Sequence, residues 1–254
     1  MHNSVSKVAA VTTAFWIMKI CATTVGERGG DLLSMTMNVG YAASSLILLS
    51  VFLAALVAQL RSESFHPALY WGVILATSTA GTTISDFMDR TLGLGYVTGS
   101  AILAALLVTV LVIWRRSTGS LAVGEIKDSK SEAFYWAAIL VSNTLGTAFG
   151  DFLADSSGLG FAASNLLIAN ALLLIAAAYF LSTWSRTALF WAAFVLTRPF
   201  GATMGDLLTK DSGHGGLNLG TVGSTAVLLA VLVGLVAYEG KRHRSQGAAA
   251  GAVP

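Results

Sequence analysis

Apolar residues gather into eight blocks of about 18 to 25 positions separated by short polar segments, and at helical rise each block can cross roughly 30 Å of hydrocarbon. The blocks lie near 9–30, 41–60, 68–91, 96–115, 133–156, 161–183, 187–211 and 221–239. This pattern predicts an all-α integral membrane protein with eight transmembrane helices. Along the odd-numbered helices, polar residues recur four apart and therefore share one face. The third gives Asn143, Thr147, Asp151 and Asp155; the first gives Thr23, Glu27 and Asp31; the second gives Ser78, Thr82, Asp86 and Arg90; the last reads Arg198, Ala202, Asp206 and Lys210. Facing lipid, such a stripe would leave polar groups unsatisfied at several kcal/mol each, so it is expected to face protein or water.

The chain repeats itself. Trp16, Trp71, Trp136 and Trp191 each follow an aromatic residue, and each is followed ten positions later by a glycine (Gly26, Gly81, Gly146, Gly201) and fifteen later by an aspartate (Asp31, Asp86, Asp151, Asp206). Three copies add a second glycine next to an aromatic residue, at Gly40, Gly95 and Gly160; the fourth has an insertion that delays the matching Gly220 by about five positions. The tryptophans are spaced 55, 65 and 55 apart, so the chain is a duplication of a duplication. The halves are 1–120 and 121–254, with 240–254 expected to form a disordered cytoplasmic tail. Each unit holds two spans and returns to its starting side. The four units therefore run parallel, pseudo-symmetric about the membrane normal.

Composition agrees: 55% of the 254 residues are hydrophobic and 11% charged, against roughly 25% charged in soluble domains. Cys21 is the only cysteine, which excludes an intrachain disulfide and a thiol-rich metal site. A net charge of +2, with basic residues confined to short loops and the C-terminus, gives no support to nucleic-acid binding. The short polar N-terminus and Lys19 within the first block argue against a cleaved signal peptide. Loops on the N-terminal side hold most of the lysines and arginines, which places both termini in the cytoplasm by the positive-inside rule. The tryptophans then fall near the cytoplasmic headgroup boundary as interfacial anchors, a ligand platform being the alternative. The aspartates, about 22 Å further along, fall in the outer third of the bilayer, lining an outward-facing cavity.

Eight carboxylates stand in these regions against the five cations Lys19, Arg28, Arg90, Arg198 and Lys210. Ionisable groups inside a membrane are costly, which makes Asp31, Asp86, Asp151 and Asp206 candidates for ion binding, with Glu27, Asp155, Asn143, Thr147 and Thr82 beside them. A structural role, capping the even helices or pairing with Arg28, Arg90 and Lys210, is the alternative. The repeated glycines are expected to let helices approach closely; loosening each helix to expose carbonyls is the second reading. Arg198-Pro199 breaks the repeat. Its proline is expected to kink the helix and its arginine to need a counterion, one of the repeated aspartates first and Glu27 second. That pair either gates a pathway or locks the bundle. His214, beside Asp211 and flanked by glycines, is a lone loop histidine with no clear ligand partners. No enzyme signature occurs in a suitable context, and no cofactor is expected.

The segments 81–87, 143–155 and 196–210, set in the pattern aromatic-Trp, Thr-x-Gly, Asp-Phe/Leu and Gly-Leu-Gly-aromatic, resemble a family of bacterial inner-membrane proteins with four tandem two-helix repeats. The resemblance covers residues 15 to about 238 and implies architecture and localisation while supplying no substrate. Oxygen ligands suit a hard divalent ion such as Mn²⁺ or Mg²⁺, so the expected function is transport of a small cation, coupled to protons, with the four repeated aspartates as metal ligands. Arg198, Lys210 and Arg28 are the expected gating or counterion residues. A non-transporting membrane scaffold and an intramembrane enzyme centred on the fourth repeat are the competing expectations.

Overall fold

The computed structural model describes residues 7–209 and 216–250, without the side chains of Thr221 and 243–250. Among the described residues every regular element is helical, the main ones being α1 Thr13–Asp31, α2 Tyr41–Arg61, α3 Pro67–Asp86, α4 Gly95–Thr118, α5 Ser129–Asp151, α6 Gly160–Leu181, α7 Arg186–Thr209 and α8 Thr221–Ala250. Local chemistry sets several starts. Thr12 and Asp128 accept hydrogen bonds from the amides of Phe15 and Ser131, and Pro67 takes the first turn of α3, where its missing N–H costs nothing. α8 continues through 240–250, where the sequence pointed to a tail.

Every repeat enters its second helix through the same pair of backbone conformations. The even-numbered helix follows a glycine with positive φ (Gly40, Gly95, Gly160, Gly220), and two residues earlier stands another left-handed position, Asn38, Gly93, Gly158 or Asn218. Asparagine tolerates this conformation better than other side chains, so the fourth repeat, despite its insertion, recovers the turn as Asn218-Leu-Gly220.

Packing is cyclic. Helices α1, α3, α5 and α7 form a closed inner ring in which each touches the next and α7 returns to α1. Outside it, α2 packs on α3, α4 on α5, α6 on α7, and α8 closes the circle on α1. Glycines set the inner spacing: a Cβ on Gly26 would meet Ser78, on Gly81 Asn143, on Gly146 Arg198, and on Gly201 Thr23. Each glycine thus receives the side chain seven positions after the next repeat's tryptophan, as the close-packing expectation requires.

Among the described residues five segments are long and apolar enough to cross a membrane: α2, α4, α6, α8 (222–242), and α5 with the turn that follows it. The sequence reading expected eight. Polar stripes lower the hydropathy of α1, α3 and α7, and those stripes are buried inside the ring, while α2, α4, α6 and α8 turn leucine and valine outward. The chain is a membrane-type helical protein with apolar helices outside and polar ones within.

Candidate functional site

Three of the four repeated aspartates end inner helices. Asp31, Asp86 and Asp151 are the last residues of α1, α3 and α5, and in each case the chain continues as a π-helical turn, over Leu32–Thr36, Phe87–Thr91 and Phe152–Ser156. In the fourth repeat α7 passes Asp206 and continues as α-helix to Thr209. π-helical turns are rare and concentrate at functional sites. Glu27, Asp31, Asp86, Asp151 and Asp206 all line one cavity of ≈ 210 Å³, together with Arg28, Arg90, Leu32, Met35 and Thr36. The side chains of Asp31 and Arg90 are 22% and 37% exposed, so the cavity reaches the surface at this end.

Each aspartate has a guanidinium partner. Arg28 pairs with Asp31 in its own helix at 3.0 Å and with Asp206 across to α7. Arg90 pairs with Asp86 in its own repeat at 2.9 Å and with Asp151 across to α5 at 3.5 Å. A carboxylate near a helix C-terminus meets the negative end of the helix dipole, so these cations offset an unfavourable placement. Among the described residues no three Asp, Glu, His or Cys side chains are placed to hold a metal ion. The four-aspartate metal site expected from sequence is not assembled in this conformation, because arginines stand between the carboxylates.

Arg198 forms the floor. It is fully buried, and Gly146, lacking a side chain, makes the room for Arg198 and Pro199 against α5. Its guanidinium spans the other three repeats. Nε donates to the Asn143 carbonyl (3.3 Å), Nη1 to the Thr23 carbonyl (2.9 Å), and Nη2 to the Thr82 and Thr147 hydroxyls (2.5 and 2.8 Å). Its ion-pair partner is Glu27 at 2.8 Å, and Glu27 also accepts from Thr82 (3.1 Å) and Thr147 (3.4 Å). The first-choice counterion from sequence, a repeated aspartate, is therefore corrected to the second choice. Asp206 stands eight residues along the same helix, about 12 Å away, whereas Glu27 stands only one turn above the Arg198 layer.

Beneath the floor, the buried Lys19 ammonium donates to Asn143 Oδ1 (3.1 Å) and lies 4.0 Å from the Phe194 ring centroid, while Asn143 donates in turn to Thr77 and Ser78. An aromatic layer follows. The aromatic of each repeat meets the tryptophan of the next: Phe15 with Trp71, Tyr70 with Trp136, Tyr135 with Trp191, and Phe190 with Trp16, at 5.4 to 6.2 Å between centroids. The Tyr70 and Tyr135 hydroxyls bond each other at 2.6 Å. The tryptophans, expected as headgroup anchors, are thus packed inside: Trp71, Trp136 and Trp191 are buried and Trp16 half-buried. Helical spacing along the chain does not say which side of the helix they occupy.

Of the other residues singled out by sequence, Thr82, Thr147 and Asn143 belong to the floor and the layer beneath it, and Arg28 to the cavity. Asp155 is exposed and outside the cavity lining, although Met35 and Arg90, at the same place after Asp31 and Asp86, belong to it. Asp89, in the corresponding turn of the second repeat, lies against Gly99 of α4. Lys210, Asp211 and His214 lie outside the described residues. Sequence reasoning missed the apolar part of the lining, Leu32 and Met35, because only polar residues were followed along the stripe, and Met35 continues it four residues after Asp31.

Family models match four consecutive segments of the chain, residues 14–65, 69–120, 134–184 and 189–245, each as a repeat of unknown function, DUF347. Neither the curated proteins nor the solved structures give a match to this chain. The four matched segments coincide with the four units whose aromatic residues, glycines and aspartates build the layers described above, and the chain belongs to the DUF347 repeat family.

Proposed function

We propose that this protein carries a small cation across the bacterial inner membrane in exchange with protons, using the aspartate cavity as its binding site and the Arg198–Glu27 layer as its gate. One observation carries the reading: an aspartate from every repeat lines a single cavity that reaches the surface at one end and is closed below by a buried arginine tied to all three other repeats. In this reading all eight helices cross the bilayer, both termini are cytoplasmic, and the repeats are related by pseudo-fourfold symmetry about the membrane normal. The closed inner ring, the ordered outer ring and the repeat-to-repeat aromatic contacts support that symmetry. A cation entering the cavity takes carboxylates from Arg28 and Arg90, and passage requires Arg198 to part from Glu27. Protons are the counter-substrate because a carboxylate that loses its cation in a low-dielectric site gains from protonation.

A second reading has its own observation. Arg28 and Arg90 tie neighbouring repeats together through the aspartates, which is what a non-transporting scaffold would need. Flux separates the two. Purified protein in liposomes is expected to move a cation down its gradient with opposite proton movement, and Asp86→Asn and Asp206→Asn variants that keep their thermal stability are expected to lose it. If the intact protein moves nothing and the variants lose only stability, the scaffold reading takes its place.

A further inference from the structure

The carboxylates of the cavity are not arranged as a metal site. They are arranged around guanidinium groups: Arg28 joins Asp31 to Asp206, Arg90 joins Asp86 to Asp151, and among the described residues no three carboxylates converge as a divalent ion requires. A bare Mg²⁺ or Mn²⁺ would have to shed tightly held water and also dislodge arginines before finding its oxygens. A cation with a guanidine head is weakly hydrated and need displace only one arginine. It exchanges with one internal guanidinium, leaves each carboxylate hydrogen-bonded, and adds no charge unlike the one it displaces. The rest of the lining points the same way. Leu32 and Met35, both about half exposed, form an apolar wall beside the acidic groups, which a metal ion cannot use and a short hydrocarbon body can. Space is adequate, since a cavity of about 150 Å³ holds benzene and this one measures ≈ 210 Å³.

We infer that the cavity takes a small organic cation, a guanidine with a short apolar body, in preference to a metal ion. The inference rests on the transport reading of the same cavity. Its test is titration calorimetry on the intact protein in lipid nanodiscs with methyl-, ethyl- and propylguanidinium at millimolar concentration, and with Mg²⁺ and Mn²⁺ at matched ionic strength, backed by flux of the same ions in liposomes. Affinity is expected to rise about fourfold per added methylene, from about 0.8 kcal/mol each. The Leu32→Ala/Met35→Ala double variant, which truncates exposed side chains and should fold normally, is expected to flatten that rise while still binding methylguanidinium. Binding and flux of Mg²⁺ or Mn²⁺ without any of the guanidines overturns the inference and leaves cation transport standing. Absence of binding and flux for both classes overturns both.

Discussion

Replacing Arg198 by methionine removes the charge that pairs with Glu27 from the floor while roughly preserving side-chain length. Glu27 is 4% exposed, and its bonds from Thr82 and Thr147 cannot replace a cation. Breaking a buried pair by removing one partner costs about 3–5 kcal/mol, because the survivor stays charged and desolvated. For a protein of this size each kcal/mol shifts the unfolding midpoint by about 2–4 °C, so Arg198→Met is expected to lower it by about 6–20 °C. Glu27→Gln is expected to cost a similar amount by stranding Arg198, which is fully buried. The double variant Arg198→Met/Glu27→Gln leaves no stranded charge and is expected to recover more than half of the loss. Unfolding of the purified protein in detergent, followed by tryptophan fluorescence, reads all three. A midpoint change under 2 °C for Arg198→Met, or additive losses in the double variant, would refute the description of the floor as a mutually dependent pair.

Other consequences can be checked in the same assay. Gly26→Ala, whose Cβ would fall 2.3 Å from the Ser78 Cβ, is expected to destabilise by about 1–3 kcal/mol, whereas Gly72→Ala, with no atom within 4 Å, is expected to be neutral or slightly stabilising. Trp136→Ala, which empties a fully buried place in the aromatic layer, is expected to cost about 3–5 kcal/mol, and Trp184→Ala, exposed in the loop before α7, almost nothing. Asp128 caps α5, and its bond from Ser131 holds the carboxyl below the usual carboxylate range. Asp128→Ala is therefore expected to cost about 1 kcal/mol at neutral pH. Because the folded-state value is the lower one, that contribution is present above the ordinary aspartate range and fades as pH falls through it, so wild type and variant should converge in acid.

The repeat made much of this arrangement legible. Residues at equal distances from four tryptophans fall at equal depths, so Asp31, Asp86, Asp151 and Asp206 had to share a level, and polar stripes that cannot face lipid had to face inward together. Close packing at Gly26, Gly81, Gly146 and Gly201 followed from the same logic. Depth is one coordinate, however, and the lateral one was missing. The tryptophans turned inward because each meets an aromatic residue of a neighbouring repeat, a contact between segments 55 or more residues apart that no local pattern encodes. The π-helical turns were invisible for a related reason: a change of winding leaves no mark in a four-residue periodicity. The Arg198 counterion required knowing which helices neighbour α7, and that is a property of the ring.

The most direct measurement is one-sided thiol labelling in liposomes on a Cys21→Ser background, with single cysteines at Met35, in the cavity wall, and at Thr77, beneath the Arg198 layer. A membrane-impermeant reagent is expected to modify the Met35 position rapidly from one face alone, more slowly when a bound cation fills the cavity, and to leave the Thr77 position untouched until Arg198 is replaced. Labelling of both positions from the same face in the presence of Arg198, or of the Met35 position at one rate from either face, would contradict a single cavity closed by that residue.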